Sequence, residues 1–164
     1  MMISVVSPVY KARACMLPLY ERLTQVLSAI PEFTDYEIIL VEDCGHDGSW
    51  EIIEELARHD PRVRAVQLSR NFGQHHSITA GLDLCKGDWV VIMDCDLQDP
   101  PEDILRLWKK AQEGHDVVGG RRSDRQDSRR KILSSAVFHY FFEILSGLSY
   151  DPQLTNFRIV SRKV

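Results

Sequence analysis

The sequence predicts an α/β domain with a mostly parallel central sheet and helices on both faces. Three observations carry this expectation. Five short runs rich in β-branched residues recur along the first 120 positions, and segments with apolar residues three or four apart lie between them. The strand runs are also apolar at consecutive positions, as when both faces of a sheet are covered. Strands alternating with helices at this pitch build right-handed βαβ units.

The first strand is expected over Ile3–Ser7, followed by a helix carrying Leu17, Tyr20, Leu23, Leu27 and Ile30. The second, Glu37–Val41, leads to a helix marked by Ile52, Ile53, Leu56 and Ala57. The third, Val63–Leu68, precedes a helix through Ile78, Leu82 and Cys85. The fourth, Trp89–Met93, precedes a helix through Ile104, Leu105, Leu107 and Trp108, opened near Pro100. Asp116–Gly119 is the fifth strand. Beyond Gly120 come a basic stretch, Arg121–Lys131, an amphipathic run, Ile132–Leu145, a turn near Asp151-Pro152, and a strand-like Phe157–Val160.

At 164 residues, with 44% hydrophobic and 27% charged positions, the chain has the length and balance of one globular domain. The net charge of -4 hides an asymmetry: residues 1–120 carry 11 Lys/Arg against 20 Asp/Glu, and residues 121–164 carry 9 against 4. That distribution argues against a nucleic-acid binder and leaves the C-terminal part suited to an anionic surface. Cys15, Cys44, Cys85 and Cys95 have neither C-x-x-C nor zinc-finger spacing, so reduced thiols in a cytoplasmic protein are expected. The N-terminus lacks a signal-peptide pattern, and no run reaches the roughly 18–20 apolar residues that span a bilayer.

A parallel sheet places its ligand at the carboxyl ends of its strands. There the chain has Ser7-Pro8-Val9-Tyr10, Glu42-Asp43, Ser69-Arg70-Asn71-Phe72-Gly73 and Asp94-Cys95-Asp96. Neither a P-loop nor a G-x-G-x-x-G turn is present, which argues against a P-loop NTPase and a dinucleotide-binding domain. Asp94 and Asp96, one residue apart where a buried strand ends, can turn toward one hard cation. Mg²⁺ and Mn²⁺ favour oxygen ligands, and Mg²⁺ is usually held by one or two carboxylates together with substrate phosphates. Asp47-Gly48-Ser49 reads instead as a turn and helix cap.

The chain resembles, from end to end, the GT-A fold of the family 2 inverting glycosyltransferases. Within them it is similar to the polyprenyl-phosphate glycosyltransferases, which include dolichyl-phosphate mannose synthase and bactoprenol glucosyltransferase. The carrying stretches are Ser7-Pro8-Val9-Tyr10, Val41-Glu42-Asp43, Asp47-Gly48-Ser49, Leu68 to Gly73, Thr79 to Leu82, Asp94 to Glu102 and Asn156 to Val164. The Asp-x-Asp-Leu-Gln-x-Pro-Pro-Glu string is the most specific. The resemblance implies that Pro8 and Tyr10 line the base and ribose pocket, that Asp43 bonds the nucleobase, and that Arg70 lies near the nucleotide. It implies that Asp94 serves ribose and metal, that Asp96 is the main metal ligand and catalytic carboxylate, and that Gln98 is a further ligand. Arg130 and Ser134, with Arg121, would hold an acceptor phosphate. The chain departs from the pattern at Lys11 and Ala12, where an acidic residue is usual, and at Gln74, where a basic one is common. Asn156 stands where many relatives have the Asp of Gly-Asp-Phe-Arg, the usual candidate base.

The expectation is therefore a single GT-A domain over 1–164. Residues 1–120 would form the nucleotide-sugar-binding part and 121–164 an incomplete acceptor-side part of a C-terminally truncated chain. It would transfer a sugar from a UDP- or GDP-sugar to polyprenyl phosphate with inversion, using Mg²⁺ or Mn²⁺, at the cytoplasmic face of a membrane. Alternatives are transfer to a sugar hydroxyl in polysaccharide or O-antigen assembly, or a nucleotide-sugar-binding fragment without turnover. A homo-oligomer is left open.

Overall fold

The computed structural model describes residues 1–121 and 154–164. By internal contact the chain forms two units, Met1–Gly119 with Asn156–Val164, and Gly120–Thr155. The second unit is described only at its ends, where the Thr155 hydroxyl donates to the Gly120 carbonyl at 3.5 Å.

Strand β1 runs over Met2–Val9 and leads, through a 3-10 turn, into α1, Met16–Ser28. Then follow β2, Asp35–Glu42; α2, Ser49–His59; β3, Val63–Gln67; α3, Gln74–Leu82; and β4, Trp89–Ile92. A 3-10 turn at Pro101–Asp103 opens α4, Ile104–Ala111, before β5, Val117–Arg121, and β6, Leu154–Ser161. Each expected strand is present, with ends shifted by a few residues.

The sheet order is β3-β2-β1-β4-β6-β5. β1 pairs in parallel with β2 and β4, and β2 with β3. β6 runs antiparallel to β4, placing Ser161 opposite Trp89 and Arg158 opposite Ile92. The register sets Val9 beside Glu42 and Glu42 beside Gln67, so β1, β2 and β3 end level. One sheet edge thus presents several loops to a common space.

Alternation along each strand sorts the core into two layers. Ile3, Val5, Val9, Ile38, Leu40 and Val91 pack with the apolar sides of α1, α2 and α4. Val6, Ile39, Val41, Val90 and Ile92 pack with Ile78 and Ala80 of α3. Helices on both faces are therefore observed, three against one. Gly81 lets α3 lie close to the sheet, since a Cβ there would sit 2.4 Å from Val6 Cγ1.

The helical phase differs from the expected one in α1. Its buried stripe is Met16, Leu19, Leu23 and Leu27, whereas Leu17 is 50% exposed. Tyr20 is partly buried against the core and donates its hydroxyl to Asp60 at 2.9 Å. In α4 the buried side is Ile104, Leu107, Trp108 and Ala111, and Leu105 is exposed. Apolar residues on both sides of each stripe made the phase ambiguous from spacing alone.

The α3 face also carries one buried carboxylate, Glu37. It accepts from the Ser4 hydroxyl and the Lys86 N–H, both at 2.6 Å, with Arg64 Nη1 at 3.6 Å. These partners offset the cost of taking its charge out of water.

Candidate active site

The strand ends enclose a crevice of about 390 Å³. Pro8, Val9 and Tyr10 come from β1 and its exit, and Asp43 from the end of β2. Asn71 and Gly73 come from the loop entering α3, Gln74 and Ser77 from its start, and Asp94, Cys95 and Asp96 from the exit of β4. A larger groove of about 760 Å³ runs along α1 and α2, past Leu17, Glu51 and Ile52, and none of the expected nucleotide or metal residues lines it.

Asp43 is buried, and both of its oxygens are engaged. Oδ1 accepts the Phe72 N–H and Oδ2 the Gly73 N–H, each at 2.8 Å. These bonds pin the loop entering α3, where Gly73 takes a φ of +91 that favours glycine. Each carboxylate oxygen retains a second lone pair for a ligand. Tyr10 is 47% exposed, with Lys11 Nζ 5.3 Å from its ring centroid. Arg70 is exposed and stacks on Phe72, its Cζ 4.7 Å from the ring centroid; Asn71, rather than Arg70, lines the crevice.

Asp94 and Asp96 meet the crevice together. Burial raises the Asp94 carboxyl above its ordinary range, and the neighbouring charges of Asp96 and Asp99 push it further the same way. Asp96 is exposed, and its Oδ1 accepts the Gln98 N–H at 3.0 Å across Leu97, whose φ is +61. This turn brings the backbone back beside the carboxylates. Crowded carboxylates that disfavour each other's charge are relieved by a divalent cation, so the donor set fits one. Among the described residues no group of three or more His, Cys, Asp or Glu side chains is placed to hold a metal by itself. Asp94 and Asp96 would need further oxygens, from Gln98 or from a bound phosphate.

Asn156 reaches the same place from the other end of the chain. Strand β6 lies beside β4, and the Asn156 side chain donates to the Asp94 carboxylate. From the opposite side Gln74 Nε2 donates to Asp94 Oδ1 at 2.5 Å. Sequence reasoning gives neither Gln74 nor Arg158 a place in the site; the only signal is the departure from the family pattern at Gln74. Asp47 has the turn role expected of it, with Oδ1 accepting the Ser49 N–H and hydroxyl at 3.2 and 2.7 Å where α2 begins. Arg121 ends β5, while Arg130 and Ser134 lie outside the described residues. Among the described residues no helix is long and apolar enough to cross a membrane.

A sheet of this order, with an acidic crevice at the strand ends, has the architecture of a GT-A glycosyltransferase domain. The pattern that defines glycosyl transferase family 2 matches residues 4–160, and the chain belongs to that family. It is 44% identical over 148 residues to an undecaprenyl-phosphate 4-deoxy-4-formamido-L-arabinose transferase of Aeromonas hydrophila, covering 90% of this chain and 45% of that protein. The chain spans about half the length of the curated relatives it matches. Its fold is similar to glucosyl-3-phosphoglycerate synthase of Mycobacterium tuberculosis, solved with Mn²⁺ and UDP: the TM-score is 0.67 at 19% identity, over 99% of this chain and 57% of that one. It is also similar to a Pyrobaculum calidifontis mannosyltransferase solved with GDP-Man and Mn²⁺: the TM-score is 0.64 at 16% identity, over 98% and 44% of the two chains.

Proposed function

We propose that this chain carries the nucleotide-sugar site of a glycosyltransferase that passes a sugar, with inversion, from a nucleotide-diphosphate sugar to polyprenyl phosphate. The observation that supports it best is the convergence of Asp43, Asp94 and Asp96 on one strand-end crevice in a family 2 chain. Pro8 and Tyr10 flank the base and ribose, and Asp43 offers its remaining lone pairs to a base N–H. Arg70 stands at the loop beside the nucleotide. Asp96, Asp94 and Gln98 would hold Mg²⁺ or Mn²⁺ against the diphosphate. The ion supplies positive charge where the leaving nucleoside diphosphate gains negative charge.

The choice of acceptor is supported by the residue that stands at the usual base position. A sugar hydroxyl needs a base, and Asn156 is an amide that takes up no proton at neutral pH. A phosphate oxygen is already ionised and attacks without one, which supports polyprenyl phosphate over a hydroxyl acceptor. Arg121, Arg130 and Ser134 are assigned to that phosphate, since Arg suits bidentate phosphate binding. The reading sets the reaction at a membrane surface, taken to be the cytoplasmic face.

The reading is tested by calorimetric titration of UDP and GDP with and without Mn²⁺. The native chain should bind one of them more tightly with the ion. Asp96→Asn should lose most of that metal-dependent gain while keeping its thermal midpoint. Equal binding by the variant and the native chain would overturn the metal assignment.

A further inference from the structure

The contacts around Asp94 assign roles to three residues that the proposed reaction leaves unused. Asp94 ends β4 half-buried, with the carboxylates of Asp96 and Asp99 close enough to act on its charge. A carboxylate is held in one orientation by the hydrogen-bond donors that meet its oxygens. Two neutral carboxamides supply them, Gln74 from the first turn of α3 and Asn156 from β6.

An amide can present its nitrogen or its oxygen, and its neighbours decide which. Here Arg158 occupies the oxygen end. Its Nη2 donates to Asn156 Oδ1 at 3.3 Å, and its Nε donates to the Asn156 main-chain carbonyl at 3.2 Å. The guanidinium has no acceptor, so the Asn156 oxygen is committed to it and the nitrogen is turned toward Asp94. The chain of contacts Arg158–Asn156–Asp94–Gln74 therefore joins β6, β4 and α3 at the crevice.

We infer that Gln74, Asn156 and Arg158 are positioning residues that hold the Asp94 carboxylate in one orientation for a divalent cation and nucleotide. Neutral donors suit this work. A Lys or Arg in direct contact would fix the carboxylate equally well but would cancel the charge a cation needs. Asn156 is then a donor with a task of its own, and an isosteric carboxylate there would remove the donor and add a fourth negative group. The inference rests on the proposed nucleotide–metal site.

The test measures Mn²⁺-dependent affinity for UDP or GDP by calorimetry, with bound Mn²⁺ followed by paramagnetic resonance. Gln74→Ala and Asn156→Ala should each lose roughly 10- to 100-fold of that affinity, in line with the loss of a hydrogen bond to a charged group. Metal-free nucleotide binding should change less than twofold. In an Asp94→Ala background both substitutions should become nearly silent, because they act through that carboxylate. Asn156→Asp should bind Mn²⁺ and nucleotide at least as poorly as Asn156→Ala. If Asn156→Asp instead binds as natively, or raises turnover, the residue occupies a proton-acceptor position and the inference fails. Losses of equal size in the Asp94→Ala background would also overturn it, since they would reflect general structural damage. Where Asp94→Ala binds too weakly for the cycle, Asn156→Asp alone decides. Absence of any metal-dependent nucleotide binding in the native chain would instead defeat the proposed function.

Discussion

At the scale of single residues, Asp43 shows how one carboxylate can build the wall of a crevice and still keep lone pairs for a ligand. Its two oxygens hold the N–H groups of Phe72 and Gly73, so the loop that walls the crevice depends on it. An amide at this position has only one oxygen and must point its NH₂ toward a backbone donor. Removing a partner from a buried hydrogen-bonded group costs about 1–3 kcal/mol. Asp43→Asn should therefore lower stability in urea unfolding by that amount and weaken nucleotide binding about tenfold or more. Unchanged affinity together with the full stability loss would show that Asp43 only supports the loop. Burial pushes the thiols of half-buried Cys85 and buried Cys95 up to about 11, which keeps them protonated and unreactive near neutral pH.

At the scale of elements, the end of α2 is held by a small ionic cluster. Asp60 follows the last residue of α2 and accepts from Tyr20 Oη at 2.9 Å, from the Arg62 N–H and Nε at 2.9 Å, and from Arg62 Nη2 at 2.8 Å. It thereby ties α1, α2 and the start of β3 together. The Arg62 guanidinium, above all, holds the Asp60 carboxyl down to about 2, against an ordinary value of 3.8. A carboxyl whose folded value is depressed stabilises the fold above its unfolded value and loses that contribution as pH falls toward the folded value. The contribution is at most about 2.5 kcal/mol, because a tenfold change in proton affinity between folded and unfolded chains is worth roughly 1.4 kcal/mol. In urea unfolding from pH 7 to pH 2, the native chain should exceed Asp60→Asn by a constant margin above about pH 5. That margin should close between about pH 4 and pH 2. A margin that stays constant to pH 2 would mean that the amide fails for reasons of packing alone.

At the scale of the whole molecule, charge separates along the chain. Residues 1–120 are strongly acidic, which disfavours an anionic bilayer, yet six Lys/Arg fall within residues 121–131. Each basic residue near an anionic surface contributes on the order of 1 kcal/mol, screened by salt. Flotation of the full-length protein with phosphatidylglycerol vesicles carrying polyprenyl phosphate should show capture that falls as salt rises. Arg130→Ala combined with Ser134→Ala should lose capture of polyprenyl phosphate and keep native nucleotide affinity. Equal capture by this double variant would leave the basic stretch as a solvated charge run and favour a sugar-hydroxyl acceptor.

Much of this architecture was legible from local pattern. Continuous apolarity marked β1, β2 and β4 as covered on both faces, because only a doubly covered sheet tolerates it. The turns at Asp43 and Asp94 stood out because polar residues broke those runs where a parallel sheet opens to solvent. Those are short-range signals, and neighbours along the chain are enough to read them. What needed the tertiary structure was long-range pairing. Phe157–Val160 could be read as a strand, but nothing local placed it antiparallel beside β4, roughly 70 positions earlier in the chain. That single pairing carries Asn156 and Arg158 to Asp94 and groups Asn156–Val164 with the first 119 residues. Gln74 stood out only as a departure from the family pattern, an exposed amide whose partner is a carboxylate 20 residues away. Residue types and their spacing determined which chemistry this chain can hold. The packing of α3 and β6 against β4 decided which side chains orient it, because hydrogen bonds depend on direction in space and not on distance along the chain.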